Sequence, residues 1–176
     1  VLYVVVFLSS AYIITAKIKN RMLQIVLASL LPFLISGFRY NVGWDYGSYV
    51  WGFELFDSNM SIWEICSQYK FGDSLGLNLI QLITKKLDSK FLFLAITSAL
   101  CFIPAFLYLR KEWNKHKDVL SLAIFITGFS LFFSGLSAIK QGMAMSFCLY
   151  SLTYVFQRKP IKYLICVCIA FLFHSS

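Results

Sequence analysis

Charge is scarce in this chain: 14% of its 176 residues are Asp, Glu, Lys or Arg, where a soluble domain carries roughly 25%. With 59% hydrophobic residues and a mean hydropathy of +0.73, that shortage is the composition of a membrane protein. Five cysteines occur without a CxxC pair or a His/Cys ligand spacing, so neither a zinc site nor a disulfide framework is supported. Cys101, Cys148, Cys166 and Cys168 fall inside apolar runs, and Cys66 stands alone in a polar region. P-loop, G-x-G-x-x-G, G-x-S-x-G and H-E-x-x-H patterns are missing, which disfavours ATPase, dinucleotide-binding, serine-hydrolase and zincin chemistry. No metal and no cofactor is expected. Barrel-like alternation is also missing, so helices are the expected way to satisfy the backbone in lipid.

What the chain does contain is a series of uncharged runs, at 1–16, 22–38, 91–109, 119–139, 142–156 and 163–173. Most approach the roughly 17–25 apolar residues that a helix needs to cross a bilayer. The expected fold is therefore an all-α polytopic membrane protein, with about six transmembrane helices forming a single transmembrane domain over 1–176. Pro32 and Pro104 lie within two of these runs and are expected to kink them. Run 1–16 has no basic n-region and no small-residue cleavage site, unlike a signal peptide. The last run stops at His174-Ser175-Ser176, and the chain is expected to be a piece of a longer protein.

The net charge of +8 is unevenly placed. Three short linkers, "KIKNR" (17–21), "RKEWNKHKD" (110–118) and "QRKPIK" (157–162), hold ten Lys/Arg against two acidic residues; the rest of the chain holds six of each sign. Short loops rich in Lys and Arg stay on the cytoplasmic side, so these three are assigned inside. The bias reads as topogenic and lipid-directed, and no nucleic-acid partner is expected. Counting crossings from there places Arg39–Asp45, Ser137–Gly142 and His174 together on the outer side. None of those residues lies in the three linkers that set the assignment.

Residues 39–90 form a long extracytoplasmic region that is expected to have structure of its own. Within it, "LGLNLIQLITKKL" sets Leu75, Leu79, Leu82, Ile83 and Leu87 on one helical stripe, with Asn78, Gln81 and Lys85 elsewhere. That pattern predicts an amphipathic helix lying at the membrane interface. Glu54, Asp57, Glu64 and Asp73 are read as solvated loop charges.

Three stretches carry candidate chemistry. "GFRYNVGWDYGSYVWG" (37–52) packs Arg39, Asp45, four glycines and five Trp/Tyr rings into sixteen residues. A snorkelling arginine beside an aromatic belt accounts for the rings. It accounts less well for Asp45 between Gly43 and Gly47, since glycines permit tight turns and close ligand approach. Arginine's planar fork suits a pyrophosphate, and a neighbouring carboxylate can orient it or accept a proton from an attacking hydroxyl. In "SGLSAIKQGMAMS", residues 142–156 would cover only about 22 Å at 1.5 Å per residue. The helix is thus expected to start upstream of Lys140, leaving Lys140 and Gln141 near its outer boundary. "FLFHSS" ends the chain, and His174 gains weight only from sharing a side with Arg39, Asp45 and Lys140.

At these residues the sequence resembles the EpsG-type, Wzy-like family of exopolysaccharide and O-antigen polymerases. Members carry an arginine followed by V-G-x-D-x-x-x-Y after an early span, matched by Arg39, then Val42-Gly43-Trp44-Asp45 and Tyr49. They carry R-Q-x-x-A at the outer start of a later span, matched by Lys140-Gln141-Gly142-Met143-Ala144. They also carry a histidine followed by small polar residues at the next outer helix end, matched by His174-Ser175-Ser176. The chain departs from the pattern at Lys140, where a point charge replaces the family's arginine fork, and at Trp44, which replaces a commonly small residue. An acidic-x-Gly pattern before the interfacial helix is also blurred, with Ser74-Leu75 between Asp73 and Gly76.

The resemblance implies a GT-C-like glycosyltransferase of the bacterial cytoplasmic membrane. It would join undecaprenyl-pyrophosphate-linked oligosaccharide repeat units at the outer face, giving exopolysaccharide, O-antigen or capsule. Its implied partners are the lipid-linked oligosaccharide, membrane lipid, and the flippase and chain-length regulator of the same pathway. Arg39, Lys140 and Gln141 would hold the pyrophosphate. Asp45 or His174 would serve as general base, and Trp44, Tyr46, Tyr49 and Trp51 would contact sugars. Two other readings stay open on sequence: a flippase for the same lipids, and a membrane acyltransferase that modifies exported glycans with His174 as catalyst.

Overall fold

The computed structural model describes residues 2–68, 74–113 and 132–174, and among them the only regular elements are helices. They are α1 (Leu2–Thr15), α2 (Arg21–Gly37), α3 (Tyr46–Leu55), α4 (Ile62–Ser67), α5 (Leu75–Lys86) and α6 (Lys90–Trp113). A helical stretch at 132–137 (α7), then α8 (Ile139–Phe156) and α9 (Pro160–Phe173), complete the set. The all-α expectation holds. Most of the apolar run 119–139 lies outside the described residues, as do Asp73 and Ser175-Ser176. Lys90–Tyr108 within α6 is long and apolar enough to cross a membrane; Val4–Thr15, Met22–Gly37 and Pro160–Phe173 are apolar but shorter. Helix length therefore does not by itself establish six crossings.

Local chemistry explains the boundaries. Asn20 caps α2 by accepting the Leu23 N–H, and Ser61 with Glu64 forms a reciprocal capping box on α4. Glu64 is solvated, as read, but belongs to α4 and caps it instead of lying in a loop. Pro160 opens α9, where its missing N–H leaves no bond unmade. The last carbonyls of α1 have no helical partners. The buried amide of Gln24 donates to those of Ile13, Ile14 and Ala16 at 2.8–2.9 Å, which locks the α1–α2 hairpin. Pro32 and Pro104 both lie inside unbroken helices. Next to Pro104, the Ala105 N–H donates across to Ser146 Oγ at 3.0 Å, so α8 supplies a partner where proline disturbs the α6 ladder.

The interior combines large apolar side chains such as Phe93, Leu94, Phe132 and Met143 with small polar ones, and the outer surface is apolar. Ser36, Thr97, Ser98, Ser146, Ser151 and Thr153 are buried between helices, while Val5, Leu8, Val26, Leu30, Leu164 and Ile165 face outward. Small residues let the helices approach closely, the usual solution where lipid is as apolar as leucine. At Gly142 a Cβ would lie 3.0 Å from the Gly135 nitrogen and 3.1 Å from Cys101 Sγ, which brings α6, α7 and α8 together.

These contacts also orient the bundle. Ser36 meets Ser98, and Gly37 meets Ala95, so α2 and α6 run antiparallel. Cys101 meets Gly142, and Ala105 meets Ser146, so α6 and α8 run parallel; α9 returns against α8. The end of α2, the start of α8 and the end of α9 therefore share one end of the bundle. The three basic linkers, as far as they are described, share the other. There Lys111 and Lys162 both sit over the ring of Tyr154, at 5.6 and 6.0 Å.

Helix α5 forms where the periodicity predicts one, but it buries a different face. Its buried residues are Gly76, Leu77, Ile80, Gln81, Leu82 and Thr84, packed against α6 and α9. Of the predicted apolar stripe only Leu82 is buried; Ile83 and Leu87 are exposed, and Leu75 and Leu79 are half-buried. Lys85 ties α5 to α3, donating to the Glu54 carbonyl at 2.9 Å and lying 5.1 Å from the centre of the Phe53 ring.

Candidate functional site

The site begins where α2 ends. Phe38 closes the helix by donating its N–H to the Leu34 carbonyl, and Arg39 then turns inward, 4% exposed. Its Nη1 donates to Ser36 Oγ at 3.0 Å and to the Gly135 carbonyl at 2.9 Å. Ser36 Oγ also accepts from Ser98 Oγ at 2.9 Å, so one guanidinium links α2, α6 and α7. The Tyr46 ring lies 5.9 Å from Arg39 Cζ. Nε and Nη2 have no partner among the described residues. A buried donor left unpaired costs about 1–3 kcal/mol, and more when charged, so Arg39 retains capacity for an anion. Burial pulls its pKa below the ordinary value, opposed by Cys101 and then by Tyr46 and Tyr49. An arginine remains charged nonetheless.

The following loop lies against α7. Gly43 has φ +104, and a Cβ there would sit 1.8 Å from the Leu136 carbonyl oxygen. One residue on, the Trp44 N–H donates to Ser137 Oγ at 3.4 Å. Both conformation and space demand glycine at 43. At Gly47, by contrast, an added Cβ would meet nothing within 4 Å, so the pairing of the two glycines around Asp45 is not a steric requirement. Gly43→Ala should displace the loop from α7 at a cost of about 2 kcal/mol. For a chain of this size that lowers the thermal midpoint in detergent by about 4–8 °C. An unchanged midpoint would refute the close packing of residue 43 on α7.

Asp45 stands at the N-cap of α3, yet its carboxylate makes no capping bond. An N-cap aspartate usually accepts from the first helical turn. Here it lines a cavity of about 330 Å³ instead, together with Ser48, Tyr49 and Gly52 of α3, Leu77, Asn78 and Gln81 of α5, and Lys140 of α8. Residues 45, 48, 49 and 52 follow helical spacing, so one face of α3 forms a wall. Helix α8 starts at Ile139, upstream of Lys140 as its length required. Lys140 thus occupies the first turn, where the helix dipole disfavours a cation; an anion bound beside it would offset that. Burial raises the Tyr49 pKa, the Lys140 backbone N–H lowers it, Asp45 raises it again, and Arg39 acts weakly downward. Through those influences Tyr49 connects the buried arginine to the carboxylate and the start of α8.

The predicted site residues therefore divide. Asp45, Tyr49 and Lys140 share the cavity, and Arg39 and Tyr46 are packed into the adjoining junction of α2, α3 and α7. Trp44, 95% exposed, and Trp51, 65% exposed, do not line the cavity, and Gln141 is also exposed. His174 ends α9, donating its N–H to the Ala170 carbonyl. Its neighbour Phe173 accepts from Ser74 Oγ at 2.8 Å, which brings the end of α9 to the start of α5 without His174 lining the cavity. Sequence reasoning missed Ser48, Asn78 and Gln81. The available signal was two amides three residues apart within the otherwise apolar stretch 75–83.

Among the described residues no group of His, Cys, Asp and Glu could hold a metal ion, and the cysteines are free. The order Arg39, Gly43, Asp45, Tyr49, then Lys140 and His174, is now seen gathered at one end of a helical bundle. The EpsG family's sequence profile matches residues 22–176. The chain belongs to the EpsG family. That family is associated with polysaccharide polymerisation, and its members are membrane proteins. No curated protein and no solved structure matches the chain. Within this EpsG-family chain, Arg39 is the buried tie, and Asp45 and Tyr49 face the cavity.

Proposed function

We propose that this EpsG-family protein is a polymerase of undecaprenyl-pyrophosphate-linked oligosaccharide repeat units, acting at the outer face of the bacterial cytoplasmic membrane. The observation that carries the reading is one cavity uniting an uncommitted carboxylate, Asp45, with the cation Lys140, beside the unpaired guanidinium donors of Arg39. A hydroxyl of the acceptor sugar attacks the anomeric carbon of the donor glycan. Asp45 takes the hydroxyl proton, a C–O bond forms, and the bond from the anomeric carbon to the pyrophosphate oxygen breaks. The leaving pyrophosphate keeps the electron pair, and Lys140 and Arg39 stabilise its charge. The base is assigned to Asp45 over His174 because Asp45 lines the cavity.

The membrane setting rests on the family, on the apolar outer surface and on helix Lys90–Tyr108. With the basic linkers at one end of the bundle taken as cytoplasmic, the cavity falls on the extracytoplasmic side. A flippase would need charges along a central path, whereas here the charged groups of the candidate site, Arg39, Asp45 and Lys140, gather at one end. Purified protein given lipid-linked repeats should yield longer glycan and one free undecaprenyl pyrophosphate per linkage made. Lipid that changes leaflet with unchanged glycan length, or sugar that gains an acyl group, would replace this reading with a flippase or an acyltransferase.

A further inference from the structure

The buried face of α5 is oddly composed for a helix pressed into an apolar bundle. Gln81 is 6% exposed and no described residue hydrogen-bonds its side chain; its amide atoms are not fully buried, and they lie at the wall of the cavity. Asn78, one turn earlier, lines the same cavity and is likewise without a side-chain hydrogen bond among the described residues. Amides without a protein partner are completed by whatever occupies the cavity, water or a ligand with hydroxyl groups. The apolar residues Ile83 and Leu87, which need no such partner, face outward instead. Helix α5 is therefore oriented to present two amides to the cavity.

The geometry points to a subsite for the hydroxyl groups of one neutral sugar ring, with Asn78 and Gln81 as its reading residues. This inference rests on the polymerase reading and deepens it by locating the terminal sugar of the acceptor. Each amide N–H donates to a sugar oxygen and each amide carbonyl accepts a sugar O–H, a pairing suited to hydroxyls and not to a pyrophosphate. The two side chains stand one turn apart on α5, opposite Asp45, Ser48 and Tyr49 of α3. A ring held by the amides presents its free hydroxyl to Asp45. At about 330 Å³ the cavity lies at the low end of the roughly 300–1,000 Å³ typical of small-molecule sites. That size suits a single ring, with the rest of the repeat unit outside. Leu77 supplies apolar surface for the ring's C–H face.

The test uses the full chain in nanodiscs and, as probe, the lipid-free repeat unit released by mild acid from the host's own lipid-linked pool. Saturation-transfer NMR should show the strongest contact on the non-reducing terminal ring. Asn78→Leu and Gln81→Leu, which replace each amide by an apolar branched side chain, should each weaken that binding about tenfold. In the polymerisation assay they should raise KM for the acceptor by a similar factor while kcat changes less than twofold. Strongest contact at the reducing end, or unchanged binding and KM in both variants, would overturn the subsite. Wild-type protein that binds the probe but makes no polymer would instead overturn the polymerase reading and leave the subsite standing. If Gln81→Leu fails to fold, Asn78→Leu at a half-buried position decides the matter alone.

Discussion

Arg39→Ala is expected to cut polymer formation by about 10²–10³-fold, with single-repeat lipid-linked units accumulating in its place. That is the range seen when one donor to a developing anion is removed from an organised site. The substitution deletes two kinds of bond. The bonds from Nη1 to Ser36 and Gly135 hold α2 to α7, and their loss should lower the melting temperature. The unpaired donors Nε and Nη2 make no such bond, and their loss should lower only the rate. Arg39→Lys separates the two: one ammonium can replace Nη1 but cannot supply the remaining donors. It should restore much of the melting temperature and little of the activity. If both variants insert normally and polymerise at the wild-type rate, the guanidinium is a packing device and the proposed anion site fails.

Asp45→Asn should reduce kcat by about 10²–10⁴-fold, the usual weight of a general base, while leaving the acceptor's KM nearly unchanged. Asparagine keeps the shape of the side chain, and Asp45 makes no capping bond to α3, so the fold has little to lose. His174→Ala provides the comparison. Because His174 lies outside the cavity lining, its removal should cost far less than that of Asp45. Steady-state rates on purified lipid-linked repeats measure both. A larger loss for His174→Ala would move the base to the end of α9.

Much of the fold was legible in the amino-acid order. Uncharged runs marked α1, α2, α6, α8 and α9, and the short run after Gly142 correctly implied a start before Lys140. Separation of the basic linkers from Arg39, Asp45, Lys140 and His174 also carried over, because α2 runs antiparallel to α6, α8 runs parallel to it, and α9 returns against α8. The aromatic rings were less readable. Tyr46 is buried, Tyr49 faces the cavity, and Trp44 and Trp51 point outward. Their rotation about α3 depends on where α5, α7 and α8 pack, which local spacing does not encode.

Helix α5 shows the limit most clearly. An apolar stripe reports a buried face only when the alternative is water; beside lipid, both directions welcome leucine. Periodicity therefore revealed a helix at 75–86 but not which side Gln81 would occupy. By itself the amino-acid order determined the apolar helices α1, α2, α6, α8 and α9, the presence of a helix at 75–86 and the end at which the reactive groups collect, since each follows from runs of hydrophobicity and charge. Only the tertiary structure decided that Arg39 lies buried behind the cavity, that Asp45 is free of its helix, and that two amides of α5 complete the wall. Those outcomes depend on contacts between segments distant in the chain, such as Arg39 with Gly135 and Ser74 with Phe173.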